Sequence, residues 1–238
     1  MSNSNKMLKQ LVRIADALER ISPTPPTNEL IKNVDTYEWI GKQQSLNAIT
    51  NVNRVDLNLL LGINKIRDTI VQNTMRFANN LPANNVLLWG ARGMGKSSLI
   101  KSSHVFVRNK SKKDLVLVEI YRSEINTLPN LLSLLGNREK QFIIFCDDLS
   151  FEQGEHSYKA LKSLLEGGIE TKPDNVIFYA TSNRRHLIAR EIVENEKNTA
   201  IHESEVVEEK ISLSDRFGLS LGFYNCTQKE YYNIVKGY

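Results

Sequence analysis

A three-layer α/β/α fold, with helices on both faces of a five-stranded parallel sheet, is what this sequence predicts, on three observations. Short apolar runs alternate with helical patterns of about ten residues from residue 64 onward, the signature of βαβ units. The runs are apolar at consecutive positions, as strands covered on both faces are. The first run leads into Gly90-Ala91-Arg92-Gly93-Met94-Gly95-Lys96-Ser97, which reads G-x-x-x-x-G-K-S/T, a glycine loop that needs a strand before it and a helix after it.

The elements follow in order. Lys6 to Ile21 places Met7, Leu8, Leu11, Ile14, Ala15, Leu18 and Ile21 at helical spacing. Ser22-Pro23-Thr24-Pro25-Pro26-Thr27 ends that helix as a stiff connector. Residues 29–54 carry no clear period, and Tyr37, Trp39 and Ile40 are expected to anchor them to the rest. Asn64 to Asn80 reads as a helix stopped by Leu81-Pro82. Val86–Trp89, Leu115–Ile120, Phe142–Cys146, Asn175–Ala180 and Leu219–Phe223 are the five strands. Ser97–Val107, Ser123–Leu135 (with Gly136 as its cap), His156–Leu165 and Leu187–Val193 are the helices between them. Arg108, Lys110, Lys112 and Lys113 are read as a solvated loop. The domain plan is a helical arm and Pro-rich linker over 1–55, a core over 56–228, and the start of a further helix over 229–238.

Composition narrows the class. The 238 residues are 41% hydrophobic, enough for a sizeable core, yet no stretch approaches the ~20 apolar residues of a membrane span. No charged n-region with an apolar h-region opens the chain. Two cysteines make no disulfide framework, so a reducing, cytoplasmic setting is expected, with Cys146 as a small core residue. The four histidines (104, 156, 186 and 202) have no Cys or His partner at metal-ligand spacing and read as surface or cap residues. A net charge of +4 is weak support for nucleic acid.

The glycine loop carries chemistry for a physical reason. Glycines let consecutive backbone N–H groups turn toward one anion, and the helix N-terminus faces the same point. Gly90, Ala91, Arg92, Gly93, Met94, Gly95, Lys96, Ser97 and Ser98 are therefore the candidate phosphate-binding residues, with Lys96 on the β- and γ-phosphates and Ser97 on Mg²⁺. The strand Phe142–Cys146 runs into Asp147-Asp148, which puts two carboxylates at the sheet's carboxyl edge. Asp147 is the candidate Mg²⁺ ligand and Asp148 the candidate base for an attacking water; the alternative is a pair that caps the next helix. Asn183, with Thr181 as second choice, follows another core strand and can reach the terminal phosphate or the water; its alternative is an N-cap. Arg216, in Ser214-Asp215-Arg216-Phe217-Gly218, can offer a planar fork to phosphate across a subunit boundary, or be a salt-bridged surface arginine.

This ordered set over residues 55–235 resembles the AAA+ ATPase superfamily, with Walker A at 90–97, Walker B at 142–148, a sensor-like Asn183 and a finger-like Arg216. Leu60-Leu61-Gly62-Ile63 resembles the box that packs near adenine there. Three longer strings, 82–90, 145–151 and 179–186, are similar to the bacterial AAA+ family called domain of unknown function 815. The resemblance implies a P-loop fold, ATP and Mg²⁺ as ligands, ATP hydrolysis driving conformational work on a macromolecular partner, and a homo-oligomer in which Arg216 acts in trans. It also implies a helical lid, of which 229–238 would be the first turn or two. Asp147-Asp148 departs from the usual Asp-Glu and keeps a second reading open, a slow-turnover ATP-dependent switch; a DNA-associated loader is a third.

Overall fold

The computed structural model describes residues 34–151, 158–166, 172–185 and 213–224, with Leu30, Leu187 and isolated positions near both ends. Seven strands form one sheet: β1 (Thr36–Ile40), β2 (Ser45–Ala48), β3 (Val86–Gly90), β4 (Leu115–Glu119), β5 (Gln141–Cys146), β6 (Val176–Ser182) and β7 (Leu219–Phe223). Their spatial order is β2-β1-β4-β5-β6-β3-β7, and only β1–β2 is antiparallel. Strands β3 to β7 are the five expected from sequence.

The sheet is wider than expected, and part of the predicted arm belongs to it. β1 pairs in parallel with β4, and β2 folds back on β1. Tyr37 and Trp39, two residues apart, face the same side of β1 and are both buried. Trp39 Nε1 donates to Thr127 Oγ1 at 2.8 Å, and Gly41 N donates to Glu124 Oε1 at 3.0 Å. These bonds tie residues 36–41 to the segment after β4, so the core begins before residue 55. The predicted helices over 6–21 and 187–193 and the lid start over 229–238 lie outside the described residues.

Helices α1 (Asn64–Ala78) and α2 (Lys96–Ser111) cover one face of the sheet, and α3 (Leu128–Gly136) and α4 (Tyr158–Glu166) the other. Successive strand residues feed opposite layers: Leu87, Val118, Ile144 and Phe178 pack under α3 and α4, while Leu88, Leu117, Phe145 and Tyr179 pack under α1 and α2. The helix expected from Ser123 opens instead as a 3-10 turn, Arg122–Thr127. The α-helix proper starts at Leu128 because Pro129 has no N–H to donate and fits only a first turn. Gly136 is that helix's last residue, and Asn137 takes the cap.

Two polar clusters anchor the helices. The Tyr179 hydroxyl accepts from Asn73 Nδ2 and pairs with Thr74 Oγ1, each at 2.9 Å, locking β6 to α1. On α2, which runs a turn further than expected, Arg108 is helical and lies 2.9 Å from Asp35 Oδ2; Arg54 approaches Asp35 Oδ1 at 2.6 Å. Burial pushes the Asp35 carboxyl up, but Arg54, His104 and the Thr36 hydroxyl together outweigh it and bring the pKa to about 2. His104 is fully buried, against the surface role expected for it. Its Nε2 donates to Leu115 O at 3.0 Å, and burial drives its pKa down to about 4.

Candidate phosphate-binding site

β5, β6 and β3 are neighbours and parallel, so their carboxyl ends bring Asp147-Asp148, Asn183 and the glycine loop to one edge of the sheet. The loop's shape explains its glycines. Gly90 has φ 141°, and a Cβ there would sit 2.2 Å from the Phe223 carbonyl oxygen on β7. Gly93 and Gly95 are left-handed, at φ 77° and 83°. Gly95 is also the N-cap of α2 and has no side chain to satisfy the first-turn N–H groups, which stay available to an anion.

Lys96 is buried against this loop. Its Nζ donates to Gly90 O and Ala91 O at 2.7 Å each and to Asn183 Oδ1 at 3.3 Å. Burial lowers its pKa, while the charges of Asp147 and Asp148 pull it back up and Arg92 lowers it further. Ser97 Oγ donates to Asp147 Oδ1 at 2.5 Å. Thr181 Oγ1 donates to the same oxygen and accepts the Asp148 amide at 2.9 Å. Asp148 stands at φ 50°. Its Oδ1 accepts from Asn183 Nδ2 at 2.5 Å, and its Oδ2 lies 3.4 Å from the Arg92 guanidinium. Among the described residues Asp147 is thus held by side chains of α2 and β6, and Asp148 by the glycine loop and the segment after β6.

A cavity of about 340 Å³ opens between these groups, lined by residues 92–98 with Asp147, Asp148, Thr181 and Asn183. Gly90 and Ala91 lie behind it, contributing carbonyls to Lys96. Leu60, from the predicted adenine-side box, is buried near Gly95, 3.8 Å from where a Cβ would stand. Arg216 does not line the cavity; it sits half-buried in the turn before β7, beside Phe217, which packs on Phe178 with ring centroids 6.3 Å apart. Thr181, the second choice from sequence, bonds to both aspartates. The signal was a threonine near the end of an apolar strand, and its two bonds appear only once β6 lies beside β5.

The Ser97 hydroxyl and the Asp147 carboxylate form an adjacent pair of hard oxygen donors. That suits Mg²⁺, which takes one or two protein oxygens and completes its shell with water and phosphate. No cluster of three or more His, Cys, Asp or Glu occurs among the described residues, and no helix there is long and apolar enough to cross a membrane.

Fold and site together define a protein of the P-loop, AAA+ architecture. Within that class the chain belongs to the family described as "Protein of unknown function (DUF815)", whose model matches residues 32–238. No curated protein matches the chain in sequence. In structure it is similar to the Aeropyrum pernix ORC1 protein in complex with DNA (TM-score 0.52, 12% identity, 76% of this chain and 52% of that one). It is also similar to a chain of the E. coli MS115-1 HORMA:CdnC:Trip13 complex (TM-score 0.51, 12% identity, 75% and 68%). The Thermotoga maritima RuvB Holliday junction branch migration motor gives a TM-score of 0.47 at 15% identity, over 76% and 52%. The chain thus spans about half the length of the RuvB and ORC1 chains it matches. At these identities the likeness concerns the fold alone.

Proposed function

We propose that this chain binds Mg²⁺–ATP in the cavity at the sheet's carboxyl edge and hydrolyses it to ADP and phosphate, with turnover driving conformational work on a macromolecular partner. The contact between Ser97 and Asp147 carries the reading: it joins the first turn of the phosphate-loop helix to the acid at the end of β5, as a shared Mg²⁺ requires. The loop amides and Lys96 bind the β- and γ-phosphates, and Ser97 and Asp147 hold the metal. When bound, Mg²⁺ offsets the charge of the β- and γ-phosphates. Asp148 takes the proton of the water that attacks the γ-phosphorus as the bond to the β-phosphate oxygen breaks. Asn183 orients that water and Asp148 together. Arg216 acts on a neighbouring copy's nucleotide, in a homo-oligomer. With a net charge of only +4, a protein partner is favoured over nucleic acid.

A second reading has an observation of its own. Both oxygens of Asp148 are engaged, by Asn183 and by Arg92, and a base held in this way favours a slow-turnover switch. Calorimetric titration of Mg²⁺–ATP into wild type and Lys96→Ala tests the shared core of both readings. Loss of a charge-assisted contact worth roughly 1.5–3 kcal/mol should weaken binding about ten- to hundredfold. Equal affinity in the two proteins would remove the phosphate-loop assignment. Steady-state turnover then separates a motor from a switch.

A further inference from the structure

Two cations rise from the same loop and meet the cavity at different depths. Lys96 is buried at its floor, whereas Arg92, between Ala91 and the left-handed Gly93, is 83% exposed at its mouth. The backbone turn gives no reason for an arginine there, since the left-handed positions are Gly93 and Gly95. What Arg92 does have is an oxygen to face: its guanidinium is 3.4 Å from Asp148 Oδ2, on the opposite wall. Lys96, Asn183, Asp148 and Arg92 therefore form a chain of contacts around the cavity, with a cation at each end.

An ion pair this exposed is weak and readily screened, so Arg92 can change partner at small cost. A terminal phosphate is the better partner. It carries more charge than one carboxylate oxygen and offers the paired oxygens that the guanidinium fork fits. A diphosphate ends nearer the loop amides and Lys96, and brings no such group to the mouth. We propose that Arg92 is the specificity-determining residue by which this chain distinguishes nucleoside triphosphate from diphosphate in cis. Arg92 leaves Asp148 for the γ-phosphate and releases Asp148 Oδ2 to receive a proton. This rests on the Mg²⁺–ATP reading of the cavity.

The test is calorimetric titration with Mg²⁺–AMP-PNP and Mg²⁺–ADP into wild type, Arg92→Ala, Arg92→Lys and Lys96→Ala. Arg92→Ala should lose about tenfold in triphosphate affinity, as removal of a charge-assisted contact does, and stay within about twofold of wild type for diphosphate. Arg92→Lys should fall between the two, because it keeps the charge and loses the fork. An equal loss for both nucleotides, or no loss for either, overturns the Arg92 assignment even where Lys96→Ala weakens binding as expected. Wild type that binds neither nucleotide, or Lys96→Ala that binds like wild type, overturns the Mg²⁺–ATP reading itself. The exposure of Arg92 keeps folding out of the comparison, and a matching melting temperature for Arg92→Ala checks that.

Discussion

The side-chain amide of Asn183 donates to Asp148 Oδ1 at 2.5 Å. The same amide's oxygen faces Lys96 Nζ at 3.3 Å, so one neutral residue spans the candidate base and the candidate phosphate-binding cation. An amide has a donor and an acceptor on one planar group, which lets it bridge a carboxylate and an ammonium. Its position follows from β6, which pairs with both β5 and β3 and so ends between their two functional termini.

The acid pair should divide its labour. Asp148→Asn is expected to bind Mg²⁺–ATP like wild type and to lose at least about a hundredfold in turnover, because an amide accepts no proton from water. Asp147→Ala is expected to lose Mg²⁺-dependent binding. Binding isotherms with and without Mg²⁺, alongside phosphate release, read both effects; parallel losses of binding would undo the division.

Thr181 is a positioning residue for that pair. Thr181→Val keeps the branched shape inside β6 while removing the donor to Asp147 and the acceptor for the Asp148 amide. The Mg²⁺ concentration for half-maximal ATP binding should rise about tenfold, as expected for loss of an outer hydrogen bond to a metal ligand. Thr181→Ser should restore it. A Mg²⁺ titration in which valine behaves like threonine would remove the role.

Arg216 should act only after assembly. Turnover per subunit is expected to rise with protein concentration, and Arg216→Ala should flatten the rise while leaving ATP binding nearly intact; such fingers are worth about 10³–10⁵ in rate. Mixing Arg216→Ala with Lys96→Ala pairs a sound pocket with a sound finger and should recover part of the activity. Absence of recovery in assemblies verified as mixed points to a structural arginine.

Acid should destabilise the fold in two stages. His104 is buried neutral, with a pKa of about 4 against an ordinary 6.5, so the unfolded chain binds its proton first as pH falls. The stability it contributes is complete above pH 6.5 and is lost between about 6.5 and 4, to a limit of about 3 kcal/mol. Asp35, held at about 2 rather than 3.8, adds a further loss below pH 3.8. Urea midpoints from pH 7.5 to 4.5 should fall steeply in wild type and more gently in His104→Gln. Parallel curves would show that His104 is not the group responsible.

What the sequence determined by itself was local. Between a strand and a helix, the G-x-x-x-x-G-K-S/T loop has positive φ at its glycines and an open helix start, and the continuous apolar run ending in Asp-Asp is a buried strand with acid at its tip. The five central strands, the loop residues and both aspartates were legible for that reason. Tertiary structure decided what depends on which strands become neighbours. Residues 36–48 showed no clear period: β1 became a strand by pairing with β4, far along the chain, and β2 by folding back on β1, and such pairings leave little trace in composition. Thr181 became a bridge between Asp147 and Asp148 only when β6 was laid beside β5. His104 reads as an ordinary polar residue of a helix until the sheet covers it, and burial is what moves its pKa. Arg92 belonged to the loop by spacing alone; its facing of Asp148 is set by the register of β3, β6 and β5, a relation between segments far apart in the chain.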